Sequence, residues 1–501
     1  MVSCAAIIIL TIGILVAGAG AFLRYWLFPL LVEQQVTKSV KLIAGTDAYE
    51  RWEELPIPII FKVYFFNVSN PEEVHEGGTP NVTEIGPYIY NQYRSKVNIT
   101  QDNSDVLSYY QNAIYEFDEN ASYPLTEHDS ITIVNLPLMS VITVAEHTAG
   151  SSYSQLTALN SAVNTIFSNP SNVFIETTPR DFLFDGIYLM CNTSFLSIIT
   201  RTVCNRIEEN APVTMPRLSD GRFRFSLFDH KNNSNDGRYS INSGVDNVSL
   251  LGEILSWENS TMVDTWRENS TCNNIYGSDS TIFPPFRTPE SDVNIFNTDI
   301  CRTVRLEYME DSTLSGIIGH RYVSEERMLA SPTKNPDNEC FCLNKTKGIR
   351  GDDGCLLDGT IELWDCQGAP IVLSLPHFLL ADGQYQSGVN GLNPNVSLHR
   401  IFIDLEPYTG MPLRGSKRVQ FNIFLRTVNR IALTANLNTV LMPIFWIDEG
   451  MELNDELIEE LQTSLFDVLR TLTIIQCGFI IGGSALAALG ISWLLVSCCL
   501  L

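Results

Sequence analysis

Residues 471–501 read TLTIIQCGFIIGGSALAALGISWLLVSCCLL, without a single Asp, Glu, Lys, Arg or His. A hydrocarbon core about 30 Å thick is crossed by roughly 20 apolar helical residues. The run is long enough to span a bilayer as a helix, the form that satisfies its own backbone groups in lipid. A second apolar run, 4–23, lies at the opposite end. With both ends embedded, everything between them lies on one side of the membrane. The expected plan is a short cytoplasmic end at 1–3, a transmembrane helix at 4–27, an ectodomain at 28–470, and a second transmembrane helix at 471–501 with little beyond it. The N-terminal run lacks a basic n-region, is too long for an ordinary signal core and has no small-residue cleavage site before Arg24, so an uncleaved anchor is expected. With so little sequence outside the two runs, neither a sorting signal nor direct signalling is expected.

The chain has 501 residues and a formal net charge of -25. Its ectodomain is large enough for a sizeable core. An acidic body repels nucleic acid and anionic membrane surfaces, so neither is expected as a partner. Eleven Asn-x-Ser/Thr acceptors, at Asn67, Asn81, Asn98, Asn120, Asn192, Asn232, Asn247, Asn259, Asn269, Asn344 and Asn395, all fall between the two apolar runs. That confinement assigns the middle region to a glycosylating compartment, outside the cell or in a lumen. Cys4, Cys477, Cys498 and Cys499 accompany the apolar ends, whereas the other eight cysteines lie in the middle, an even number suited to disulfides. Spacing alone leaves the pairing open. No CxxC pair or histidine cluster supports zinc. Cys498 and Cys499, at the membrane exit, are candidate palmitoylation sites, with inert apolar thiols as the alternative.

In chain order, residues 28–45 carry Leu31, Val32, Val36, Val40 and Ile43 at near-helical spacing, so the first span is expected to continue outward as an amphipathic helix. The β-branched and aromatic run 57–68 reads as a strand closed by Asn70-Pro71, with a second strand following. Phe223, Phe225 and Leu227 alternate with Arg222, Arg224 and Ser226; Val419, Phe421, Ile423 and Leu425 oppose Arg418, Gln420, Asn422 and Arg426. Such alternation predicts antiparallel sheet with one wet face. Within 149–172, Leu156, Leu159, Val163, Ile166 and Phe167 recur at helical spacing until Asn169-Pro170. Leu457, Ile458, Leu461, Leu465 and Val468 mark another helix, running directly into the last span and expected to pack with the first.

No GxSxG elbow, HExxH, P-loop or GxGxxG is present, and the seven histidines are dispersed, so no enzyme and no cofactor is expected. Gly351-Asp352-Asp353-Gly354 lacks the alternating ligands of a calcium loop and reads better as a turn.

PIPIIFKVYFFNVSNPEEV followed by EIGPYIY, within 55–90, resembles the signature of the class B scavenger receptor family, which includes fatty-acid translocase and the lysosomal integral membrane protein. The likeness covers essentially the whole chain. LFDGIYLMC at 183–191 with Cys204, TIFPPFRTPE at 281–290 and PIFWIDEG at 443–450 are similar to the sensory neuron membrane proteins of insects. The resemblance implies an α+β membrane protein: an antiparallel β-barrel-like ectodomain with a helical apex, here 148–180, an internal lipid tunnel and two terminal transmembrane helices. It implies disulfides 272–340, 301–366 and 342–355, and the sensory branch adds Cys191–Cys204. It implies a plasma-membrane receptor that takes lipidic ligands in at the apex, past Ile166, Phe167 and Phe174, and passes them to the membrane or to an odorant receptor complex. Fatty-acid-binding relatives carry a lysine just before their counterpart of Phe174; residues 150–178 contain no Lys or Arg. Esters, aldehydes or alcohols of pheromone type are therefore the expected ligands, because a carboxylate would lack a charge-assisted partner. General lipid or lipoprotein uptake is the alternative function, and a membrane-tethered hydrolase the weakest.

Overall fold

The computed structural model of the chain describes residues 2–103, 105–149, 153–192, 196–350 and 354–499. Its frame is one antiparallel sheet of 13 strands. Its main path runs Val293–Asn297, Arg302–Leu314, Ile317–Ser324, Phe402–Leu405, Pro412–Leu425, Val440–Glu452, Ile59–Val68, Val82–Asn103, Val106–Phe117, Ser234–Asn242 and Ile254–Trp257. The run 57–68 becomes the central strand Ile59–Val68, whose Phe61, Val63 and Phe65 are buried. The sheet curls until its edges nearly meet, and an extended segment around Gly277 fills the seam. Ile254 N donates to Gly277 O at 2.8 Å, and Ser278 N donates to Asn294 O at 2.9 Å. A side chain at Gly277 would strike the Asn294 carbonyl, and its φ of +88° is one that glycine adopts freely. Near-closure leaves few unpaired edge groups.

Helices Leu136–Ala149, Tyr153–Ile166 and Ile198–Asn210 form a crown. They lie at the end of the barrel remote from the terminal helices: Asn67, near the outer end of the central strand, accepts from Thr132 N at 2.7 Å, just before the first crown helix. Leu156, Leu159, Val163 and Ile166 are buried, as their spacing predicts. The helix at 136–149 was not expected, because LPLMSVITVAEHTA is apolar on nearly every side and shows little periodicity. Glu146 on that helix accepts from both Arg426 and Lys347, tying crown to barrel.

The wet face expected for Arg418, Gln420, Asn422 and Arg426 is not observed. Gln420 and Asn422 are fully buried because the strand Val372–Ser374 pairs with Pro412–Leu425 at this point. Asn422 Nδ2 donates to Val372 O at 2.9 Å, and Gln420 Nε2 donates to Asn422 Oδ1 at 2.7 Å. A folded-over segment has replaced solvent, and the polar side chains satisfy one another.

The N-terminal helix runs through Val2–Phe22 and Phe28–Val40, joined by a π-helical turn at Leu23–Leu27 that exposes Tyr25 and Trp26 beside Arg24. Aromatic and cationic side chains at one level mark a membrane boundary. The C-terminal helix runs from Asp455–Leu461 through a π-helical turn to Asp467–Cys499. The two pack along small residues: a Cβ on Gly13 would collide with the backbone of Ala487, one on Gly483 with that of Ala17, and one on Gly490 would come within 2.7 Å of Leu10 N. Backbone-level contact is how helices associate in lipid, where burial of apolar surface supplies no drive.

Candidate ligand chamber and crown

The register of three adjacent strands builds the centre of the barrel. Phe65 on Ile59–Val68 pairs with Phe445, and four residues nearer the membrane Phe61 pairs with Glu449, which pairs in turn with Lys417. Four strand residues span about 13 Å, so the interior has two levels. At the crown level Phe65, Phe182, Phe225, Phe421 and Phe445 form a continuous aromatic cluster.

The membrane-side level is ionic. Lys417 Nζ lies 2.5 Å from Glu449 Oε2 and 3.0 Å from Asp299 Oδ2. Arg94 pairs with Glu449, and Lys231 pairs with Asp299. Asp299 comes from across the barrel, on a short turn Thr298–Ile300 closed by Cys301 in the left-handed conformation. The Cys301–Cys366 disulfide and a 2.6 Å hydrogen bond from Gln367 Nε2 to Asp299 O hold that turn. An aromatic wall adjoins it: the Phe61 ring lies 5.3 Å from Tyr115 and 5.2 Å from Phe228.

Lys231, Asp299 and Lys417 keep 27%, 32% and 28% of their side-chain surface accessible. This partly accessible ionic level, with the aromatic wall beside it, is the candidate chamber. Burial opposes ionisation of Asp299, but Lys231 and Lys417 outweigh it and hold the carboxyl far below the usual range. Burial likewise opposes Glu449, and Arg94 with Lys417 reverse it. The two lysines are held above the ordinary ammonium range, the neighbouring carboxylates overcoming desolvation. The chamber therefore carries fixed, mutually paired charge beside an aromatic wall, and offers polar donors without a free acid or base.

A separate pair, Lys96 and Asp279 at 3.8 Å, is buried between Trp52 and Tyr109. Desolvation brings the lysine down to about 8, while Asp279 partly restores it. Tyr109 OH donates to Asp279 at 2.5 Å, so the pair has neighbours on every side and reads as core structure.

Of the residues expected at the ligand portal, Ile166 and Phe174 are buried and Phe167 is partly buried against the same core. Ile166 ends the second crown helix and Phe174 opens the strand Phe174–Thr177, while Ile198 and Ile199 are exposed on the third crown helix. The structure bonds Cys191 to Cys204, Cys272 to Cys340, Cys301 to Cys366 and Cys342 to Cys355. Among the acceptor asparagines, Asn67, Asn81 and Asn232 are half-buried and the other eight exposed. The side chains of Cys498 and Cys499, and residues 351–353 of the acidic turn, lie outside the described residues.

Residues 11–494 match the CD36 family. The chain is 38% identical to sensory neuron membrane protein 2 of Anopheles gambiae, over 95% of this chain and 91% of the relative. It is 34% identical to sensory neuron membrane protein 2 of Drosophila melanogaster, over 96% of each chain. It is 33% identical to sensory neuron membrane protein 1 of Pediculus humanus subsp. corporis, over 96% of this chain and 90% of the relative. With the barrel-like ectodomain and two terminal apolar helices, these likenesses support a membrane lipid-binding receptor, and the chain belongs to the CD36 family.

Proposed function

We propose that the protein is a non-enzymatic receptor of the plasma membrane of sensory cells, its glycosylated ectodomain outside. It captures hydrophobic ligands at the crown and passes them through a tunnel in the barrel to the bilayer or to an odorant receptor complex. The observation that supports this reading is the candidate chamber, a partly accessible ionic level beside an aromatic wall inside a barrel-like body with an apolar helix at each end. The names of its relatives favour the sensory setting over general lipid uptake. Each CH₂ removed from water contributes about 0.8 kcal/mol, so a covered apolar passage competes well with solution for a long-chain ligand.

The preferred ligand has a neutral polar head: an ester, aldehyde or alcohol. Arg426 and Lys347, the cations brought to the first crown helix, are taken up by Glu146. In the chamber Arg94, Lys231 and Lys417 each have a carboxylate partner. A neutral oxygen accepts from these ammonium groups without displacing a counter-charge, whereas an added carboxylate would compete with Asp299 and Glu449. On this route ligands pass Ile166, Phe167 and Phe174 beneath the crown.

The test is a lipid panel applied to cells expressing the chain, a candidate odorant receptor, or both. A response at about tenfold lower ligand concentration only when both are present is expected, with the methyl ester bound more tightly than the free acid. Uptake by the chain alone, with no gain for the receptor, would replace this reading with general lipid uptake. Strong preference for the acid would remove the neutral-ligand assignment.

A further inference from the structure

A second buried cation, Arg302, stands apart from the chamber and has no carboxylate partner. It opens the strand Arg302–Leu314, immediately after disulfide-bonded Cys301, and is 7% exposed. Its guanidinium carbon stacks 3.6 Å over the Phe341 ring, and Nη1 donates to Met328 O at 3.3 Å. Nε has no hydrogen-bond partner, and among the described residues no acid lies within ion-pair distance. Burial brings this guanidinium down to about 10, with Tyr276 opposing. An unpaired buried charge is costly, and proteins pair such charges or hydrogen-bond them.

Arg302 lines a half-open pocket of about 30 Å³ together with Met328, Asn338, Phe341, Ser331 and Glu362. One water needs about 10–15 Å³ of such space, so there is room for an occupant the size of one or two waters and none for a lipid head. Glu362 is already engaged, accepting from Thr346 Oγ1 at 2.6 Å, and burial pushes its carboxyl up toward the neutral form. Glu362 on this wall is turned to Thr346, and among the described residues no ion pair joins it to Arg302.

We propose that Arg302 and this pocket form a binding site for a small monovalent inorganic anion of chloride size. The site sits between the Cys301–Cys366 and Cys342–Cys355 disulfides, with Cys342 and Cys355 on its wall. An anion there neutralises the charge and joins the disulfide-rich segment to the barrel edge.

The test uses the full-length protein in detergent micelles. At constant ionic strength, replacing gluconate by chloride over about a hundredfold range is expected to raise the unfolding midpoint by about 2–4 °C. Arg302→Met removes that dependence. A crystal soaked in bromide provides the second measurement, with an anomalous peak expected beside the guanidinium even where the variant does not fold. A wild-type midpoint indifferent to chloride, with no bromide peak, means the pocket holds water only and overturns the assignment. A chloride effect that survives in Arg302→Met places the anion elsewhere and overturns it equally.

Discussion

Glu449→Gln isolates the ionic level of the barrel with little change of shape. Glu449 is 8% exposed at its side chain and pairs with Arg94 and Lys417. Removing one partner of a buried pair costs about 3–5 kcal/mol, because the other charge is stranded. Lys417 keeps Asp299 at 3.0 Å and is 28% exposed at its side chain, so the expected loss is smaller, about 2–3 kcal/mol. The entropy of unfolding grows with chain length, so in an ectodomain of this size that loss lowers the midpoint by about 2–3 °C. The effect has a pH signature. Glu449 is held below its unfolded value of about 4.3, so its contribution is full above that value and is lost as pH falls through the folded one. Differential scanning fluorimetry of the wild type and the variant should show the widest gap near neutral pH and a narrowing one on acidification. Asp299 titrates in both proteins and largely cancels. A variant that melts within about 1 °C of the wild type at neutral pH, or a gap indifferent to pH, would refute the argument that these charges lie deep and depend on each other.

Two further outcomes follow from packing at single positions. Gly483→Leu drives a side chain into the backbone of Ala17, whereas a side chain at Gly482 meets open space, so the first should cost about 1–3 kcal/mol and the second almost nothing; equal thermal stability and equal monodispersity of the two proteins would show that the helices do not meet as described. Asn67 and Asn232 are half-buried, so glycopeptide mass spectrometry should find both unmodified while exposed Asn120, Asn247 and Asn269 carry glycan. Glycan found on Asn232 would show that its amide is open to solvent.

What could be read in advance divides along the range of the interaction. The terminal helices are written in length and absence of charge, and the central strand in β-branched and aromatic composition, because both are local properties. The disulfide partners came only through likeness to a family, since 65 residues separate Cys301 from Cys366 and no spacing rule spans that loop. The covered face of Gln420 and Asn422 was misread because period-two alternation reports two faces and not what lies against each. The chamber is the most non-local feature, with charges drawn from the strands Val82–Asn103, Pro412–Leu425 and Val440–Glu452 and, for Asp299, from across the barrel. Even so it left a trace. Lys417 is in phase with Val419, Phe421 and Ile423; Glu449 with Ile447 and Phe445; Arg94 with Gln92, Tyr90 and Tyr88. Each is a charge on the inward, apolar side of its strand. One such residue is a packing cost, because an isolated buried ion is unstable. Three on nearby strands, of both signs and with side chains long enough to meet, are one another's solution. Sequence alone supplies the phases; the level is fixed only when register sets Phe61 and Lys417 beside Glu449, and curling of the sheet brings Asp299 across to them.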